Sequence, residues 1–238
     1  AASDVYKRQP QGFPLNLHDI PKLTNNIDNK PMKCLHIITP VKDSIDSTLE
    51  TVKAIMESDI LVPFTYTVYN DFSTEENTHR LEEAARQWNF RLVNLSDLTD
   101  HPSPNYLLVL QTAQKEAIEA DAGLLIVESD VIVKKNTLQS LYNGALQQKQ
   151  CGIAAAVTTD EKGVINYPYL HAKGHENQVY PEKKHCSFCC SLLTPGLLKA
   201  FDFQTLDPSK NWYDVTISHE SLKRGFQNYL FTTLPVWH

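Results

Sequence analysis

Gly123-Leu124-Leu125-Ile126-Val127-Glu128-Ser129-Asp130-Val131-Ile132-Val133 is the stretch on which the fold turns. One glycine and four apolar residues run into Glu-Ser-Asp, and an apolar triplet follows. A continuous apolar run this short predicts a strand buried on both faces, the environment of a parallel sheet. Open α/β sheets bind ligands beyond the carboxyl ends of their strands, which is where the two acids fall. Glu128 and Asp130 are two residues apart, so on an extended backbone both point to one side. Convergent carboxylates at a sheet edge can share a hard divalent cation, which carries a phosphorylated ligand. The same acids also read as a solvated strand end, or as caps for the helix that begins near Thr137.

Outward from this stretch, strand and helix patterns alternate from Lys33 onward, which predicts βαβ units and an α/β fold. Residues 34–39 read as a first strand, stopped by Pro40. Residues 47–57 follow as a helix, with Leu49, Val52, Ile55 and Met56 near 3.6-residue spacing. Residues 64–69, aromatic and β-branched, read as a second strand. A helix over 75–88, a strand over 90–95 and a helix over 106–120 lead to the central stretch. A helix over 137–148, a strand over 152–157, an apolar strand over 187–193 and a helix over 215–223 come after it. With no internal repeat and no interior linker, residues 33–238 read as a single domain. Residues 1–32, with Pro10, Pro14, Pro21 and Pro31, read as an irregular lead-in.

Composition narrows the classes. A chain of 238 residues with 42% hydrophobic and 21% charged residues can bury a real core as an ordinary soluble globular protein. The net charge of −6 argues against a partner held by bulk electrostatics, so no nucleic acid is expected. No apolar run approaches the roughly 20 residues of a membrane span, and no signal-peptide pattern opens the chain, so the expected compartment is the cytoplasm. Five cysteines without framework spacing fit reduced thiols. Asp4-Val5-Tyr6-Lys7-Arg8-Gln9 is what GATGTGTATAAGAGACAG encodes, a sequence resembling a transposase end used in sequencing libraries. Residues 1–9 are therefore read as an assembly artefact and set aside from fold reasoning, and the end at His238 is expected to be a truncation.

Acids now fall at three strand ends: Asp43 after the first, Asp71 after the second, Glu128 and Asp130 after the fourth. A nucleotide needs acceptors for base or ribose hydroxyls and a metal for its diphosphate, and strand-end acids supply both. No Gly-x-Gly-x-x-Gly or Walker loop is present, which lowers the weight of dinucleotide-binding and ATP-hydrolysing folds.

In the order of these motifs the chain resembles the family 2 glycosyltransferases of the GT-A fold, over residues 33–238. Ile38-Thr39-Pro40-Val41-Lys42-Asp43 matches the opening strand and its turn. Val68-Tyr69-Asn70-Asp71-Phe72-Ser73 is similar to the Asp-Asp-Gly-Ser segment that holds the nucleoside, with Phe72 in place of the glycine. Glu128-Ser129-Asp130 occupies the place of the Asp-x-Asp metal motif. Trp212-Tyr213-Asp214 falls where the family carries its catalytic base, with Tyr213 where a Glu is common. Gly225-Phe226, Leu234-Pro235-Val236 and His238 follow the family's closing pattern. The Arg-Asn pair that many relatives carry before the metal motif is absent around Gln111 to Gln114.

The resemblance implies a three-layer, Rossmann-like GT-A fold with a mostly parallel central sheet. It implies a bacterial hexosyltransferase-like enzyme that moves a sugar, with inversion, from a UDP-, GDP- or dTDP-linked donor to a hydroxyl of a glycan or lipid-linked acceptor in polysaccharide biosynthesis. A lipid-linked acceptor would bring peripheral membrane association at the inner membrane face. Asp130, Glu128 and His238 are the implied ligands of Mn2+ or Mg2+; Asp214 is the implied base; Pro40, Asp43, Asp71, Ser73 and Glu128 are implied donor contacts. Two other readings stay open: a nucleotidyltransferase, and a non-catalytic protein that keeps the fold and binds a nucleotide or a partner. Cys186-x-x-Cys189 with His171, His175 and His185 nearby raises a zinc reading, against which these cysteines read as small hydrophobes in a strand. The aperiodic polar and aromatic stretch over 166–184 reads as a specificity loop.

Overall fold

The computed structural model describes residues 32–238; the expected lead-in and its artefact lie outside them, apart from Met32. Eight strands form one sheet in the order β3-β2-β1-β4-β7-β5-β8-β6. The first half alternates strand and helix: β1 (Leu35–Val41), α1 (Ile45–Met56), β2 (Phe64–Asn70), α2 (Glu75–Trp88), β3 (Arg91–Asn94), α3 (Tyr106–Glu119) and β4 (Gly123–Val127). The second half continues through α4 (Thr137–Gln147), β5 (Cys151–Thr159), β6 (Val179–Pro181), β7 (Cys190–Leu193), α5 (Pro195–Ala200), α6 (Tyr213–Lys223) and β8 (Gln227–Trp237).

The sheet is mostly parallel. β1 pairs in parallel with β2 and β4, β2 with β3, and β5 with β8; β7 inserts antiparallel between β4 and β5, and β6 lies antiparallel on β8. β1 to β5 and β8 therefore all end at one edge of the sheet.

β4 shows why a short apolar run suffices at the centre. Leu124 and Ile126 pack into one hydrophobic layer while Leu125 and Val127 pack into the other, and all four are fully buried. One layer holds the apolar faces of α1, α2 and α4, the other those of α3, α5 and α6. That is the three-layer architecture, with helices on both faces of a sheet that has no wet side.

Pro40 does not stop β1, contrary to expectation. Asp71 N–H donates to Val41 O at 2.8 Å, so residue 41 turns its polar groups to β2 and Pro40 faces the β4 side. Pairing with β4 has already ended at Ile38–Ile126, so the missing N–H costs no ladder bond. β8 and β6 escape the sequence reading. β8 carries a register shift: Ala156 pairs with Phe231 but Val157 with Pro235, leaving residues 232–234 as a bulge. Thr232 in that bulge accepts from Gln178 N–H at 2.8 Å and donates to His175 O at 2.6 Å. Among the described residues no helix is long and apolar enough to cross a membrane.

Gly144, buried in α4, faces the ring of Phe231 on β8, where an added Cβ would overlap ring carbons. On an exposed helix Gly→Ala gains about 1 kcal/mol. Here Gly144→Ala is expected to destabilise by about 1–3 kcal/mol through overpacking. Urea denaturation reads the sign, and a stabilised variant would show that α4 and β8 do not meet as described.

Candidate active site

Four chain segments converge at the carboxyl edge of the sheet. The extended backbone of β4 stops at Val127, and Glu128 to Asp130 form a turn in which Val131 N–H donates to Glu128 O at 3.2 Å. The expectation that strand alternation places both acids on one side is corrected: the turn brings them together.

Cys189 stands opposite Glu128 because β7 pairs antiparallel with β4, Val127 against Cys190. Glu128 N–H donates to Cys189 O at 3.0 Å, and the Cys189 thiol donates to Glu128 Oε2 at 3.5 Å. His238 arrives from the far side. Beyond the bulge, Trp237 exchanges two backbone hydrogen bonds with Ile132, of 2.8 and 3.0 Å. That crossing sets His238 Nε2 3.7 Å from Asp130 Oδ1. Ligand atoms of Glu128, Cys189 and His238 all lie within 4.8 Å of one another. Asp214 enters on the first turn of α6, where Val215 N–H donates to its Oδ1 at 2.8 Å.

The electrostatics follow from this crowding. Burial, then the charges of Asp130 and Asp214, push the Glu128 acid up to about 7, opposed by the Cys189 hydrogen bond. Burial also raises Asp214, which His185 and the backbone N–H groups oppose. His185 is pushed down by burial and up by Asp214, and among the described residues its buried Nε2 has no hydrogen-bond partner. Tyr167, 47% exposed, is pushed up by burial first and then by its nearness to Asp214, Cys189 and Glu128.

The other expected donor contacts sit at the ends of β1 and β2, on the same edge. Asp43 takes φ +57° and accepts from Thr74 N–H at 2.7 Å, at the start of α2; that bond, first among several, holds its acid below the usual range. Ser73 Oγ accepts from Asp43 N–H at 2.9 Å, so the two turns are tied together. Asp71 is buried and already engaged. Ser103 Oγ and Asn105 N–H donate to its Oδ2 at 2.7 and 2.8 Å, and Asn105 Nδ2 donates to its Oδ1 at 2.8 Å. Phe72, in the glycine position of the resembled motif, keeps a glycine-like φ of +56°, and its carbonyl accepts from Lys42 Nζ. A bulky residue there stores strain, which local contacts must hold.

Cys189 and His185, which the sequence offers only as zinc candidates, sit at this edge, and Tyr167 comes to it from the expected specificity loop. Cys189 was weighed with Cys186, yet the two part company. Cys186 lies in the α3–α5–α6 layer and Cys189 in the other. His171 Nε2 pairs with buried Glu182 at 2.7 Å and the His175 ring packs on Tyr180, so the Cys186–Cys189 zinc reading gathers no ligands among the described residues.

Whether a cation suits this edge is decided by its charge. One carboxylate, an imidazole and a thiol converge, with Asp130 beside the imidazole, and the charges that bear on Glu128 are negative. Such a set fits a divalent cation.

No family model and no curated protein matches the chain in sequence. Solved structures do match in shape. The mannosyltransferase PcManGT from Pyrobaculum calidifontis, in complex with GDP-Man and Mn2+, superposes with a TM-score of 0.62 at 13% identity, over 88% of this chain and 57% of that one. S. aureus TarS 1-349 gives 0.62 at 16% identity, over 85% and 59%. GalNAc-T7 with UDP, GalNAc and Mn2+ gives 0.64 at 12% identity, over 87% and 44%. The fold is that of the GT-A glycosyltransferases. The GT-A chain described here spans between 44% and 59% of the length of these three.

The raised Glu128 acid has a thermodynamic consequence. Between the ordinary value of 4.5 and about 7 the folded chain keeps the proton that the unfolded chain has lost. Stability without metal therefore falls as pH rises through that window. Glu128→Gln is expected to stabilise the metal-free chain at about pH 8 by about 1–2 kcal/mol, discounted for the solvent that reaches the group. Thermal melts in chelator across pH check this, and a variant less stable at that pH would contradict it.

Proposed function

We propose that the chain is a metal-dependent, inverting glycosyltransferase that uses a nucleotide-sugar donor. The observation that carries the reading is the convergence of Glu128, Asp130, His238 and Asp214 at the carboxyl edge of a GT-A sheet. The matched structures hold GDP-Man with Mn2+ and UDP with Mn2+, which supports a nucleotide sugar and a divalent cation here.

Asp130, Glu128 and His238 would hold Mn2+, or Mg2+; the imidazole favours Mn2+. Bound there, the cation supplies Lewis-acid neutralisation of the charge on the departing nucleoside diphosphate. Asp214 accepts the proton of the acceptor hydroxyl as that oxygen attacks the anomeric carbon from the face opposite the leaving group. Its raised proton affinity suits a base that works near neutral pH. His185 opposes the burial-driven rise at Asp214. The tied turns of Asp43 and Ser73, with Pro40 near the end of β1, frame the UDP, GDP or dTDP nucleoside. Asp71 shapes that pocket through the 103–105 turn and keeps acceptor capacity on Oδ1.

The acceptor is a hydroxyl of a glycan or lipid-linked sugar. The segment between β5 and β7 exposes Val164, Tyr167, Leu170 and Val179, apolar and aromatic side chains of the kind that would suit such an acceptor at the inner membrane face. A family 2, bacterial polysaccharide enzyme fits this picture.

Release of nucleoside diphosphate from UDP-, GDP- and dTDP-sugars with Mn2+ tests the reading. One donor is expected to be turned over. Asp214→Asn is expected to slow turnover by about 10²–10⁴-fold with little change in donor KM. An Asp214→Asn variant that turns over at the wild-type rate removes Asp214 as the base. Tight donor binding without turnover in the wild type favours the non-catalytic reading.

A further inference from the structure

We propose that Cys189 makes this edge a thiolate-bearing metal site, in which Glu128, Cys189 and His238 together bind a borderline-soft cation of the Zn2+ or Co2+ class, with Asp130 beside His238. The inference rests on the reading of the acid cluster as a metal site, not on sugar transfer.

Geometry carries it. Two donors bound to one tetrahedral zinc at about 2.0–2.3 Å sit roughly 3.3–3.8 Å apart. Glu128 Oε2 and Cys189 Sγ are 3.5 Å apart, and ligand atoms of Glu128, Cys189 and His238 all lie within 4.8 Å of one another. The thiol is held in place by the sheet, since Cys189 precedes β7 and its carbonyl accepts from Glu128 N–H. It packs beside Ser187 Oγ at 3.2 Å, so its reach toward Glu128 is constrained from behind.

Donor chemistry gives the direction. Carboxylates and water suit Mg2+ and Mn2+, whereas thiolate and imidazole suit Zn2+ and its spectroscopic substitute Co2+. A site of two carboxylates and an imidazole holds Mn2+ without help from sulfur. Adding a thiolate creates a second, tighter mode for a softer ion. Coordination replaces the S–H bond with an S–metal bond and releases one proton to solvent, with no change in oxidation state. Zn2+ would then compete with Mn2+ for one position.

Titration of the reduced chain with Co2+ tests this. A near-ultraviolet thiolate-to-cobalt band is expected in the wild type and in Cys34→Ser, chased by Zn2+ and lost in Cys189→Ser. Zn2+ affinity should fall by about tenfold or more in Cys189→Ser, the loss that removal of even a ligand's own hydrogen-bond partner produces, while Mn2+ affinity holds. Should that variant misfold, zinc-edge X-ray absorption of the wild type reads the same question, with one sulfur among the atoms bound to zinc expected. Only oxygen and nitrogen around zinc, or a band that survives Cys189→Ser, overturns the inference. Mn2+-dependent donor binding without sulfur ligation would overturn it and leave the transferase reading intact. Sulfur ligation without nucleotide binding would uphold it and remove that reading.

Discussion

Repulsion among carboxylates at the end of a buried strand is the constraint around which this edge of the molecule is built. Burial weakens the Glu128 acid most, and the charges of Asp130 and Asp214 add to the effect. A protein gains no stability from such an arrangement, because desolvated like charges disfavour the folded state. A cation bound there, as proposed, would reverse the sign, with Glu128 and Asp130 as ligands and Asp214 beside it. Stability at this edge and cation binding are thus opposite faces of one electrostatic term.

The sheet supplies the rigidity to hold that term in place. β4 has no wet face, so its end is fixed by both hydrophobic layers, and β7 locks Cys189 against Glu128 through the ladder. The second brace is the crossing between Ile132 and Trp237, which depends on the bulge in β8. Without residues 232–234 looping out, β8 would keep its register with β5 and the chain beyond it would end elsewhere. A bulge at a sheet rim that re-aims a side chain is a common device near sites.

The legible part of this architecture was the part governed by local pattern. The β4 run and the α1 periodicity follow from residues near one another in the chain, and the helix over 75–88 has the bounds expected. β8 was not legible, because Pro235 and the bulge break its pattern and its partners β5 and β6 come from distant segments. Cys189 was legible only as a zinc candidate for the same reason. Its partner Glu128 lies 61 residues away, and only the antiparallel register brings the thiol to the acid. Asp71 illustrates a subtler gap: an acid at a strand end looks free in sequence, yet Ser103 and Asn105 have already claimed both its oxygens. Phe72 shows the converse, since its backbone keeps the conformation of a glycine the sequence has lost.

Calorimetric titration of UDP, GDP, CDP and dTDP into the chain, with and without Mn2+, tests the central claim most directly. The account predicts that one nucleotide binds, that binding requires the cation, and that Asp130→Ala abolishes it while the fold persists. Nucleotide binding that is unchanged by Mn2+ and by Asp130→Ala would contradict the assignment of this acid cluster as the metal site.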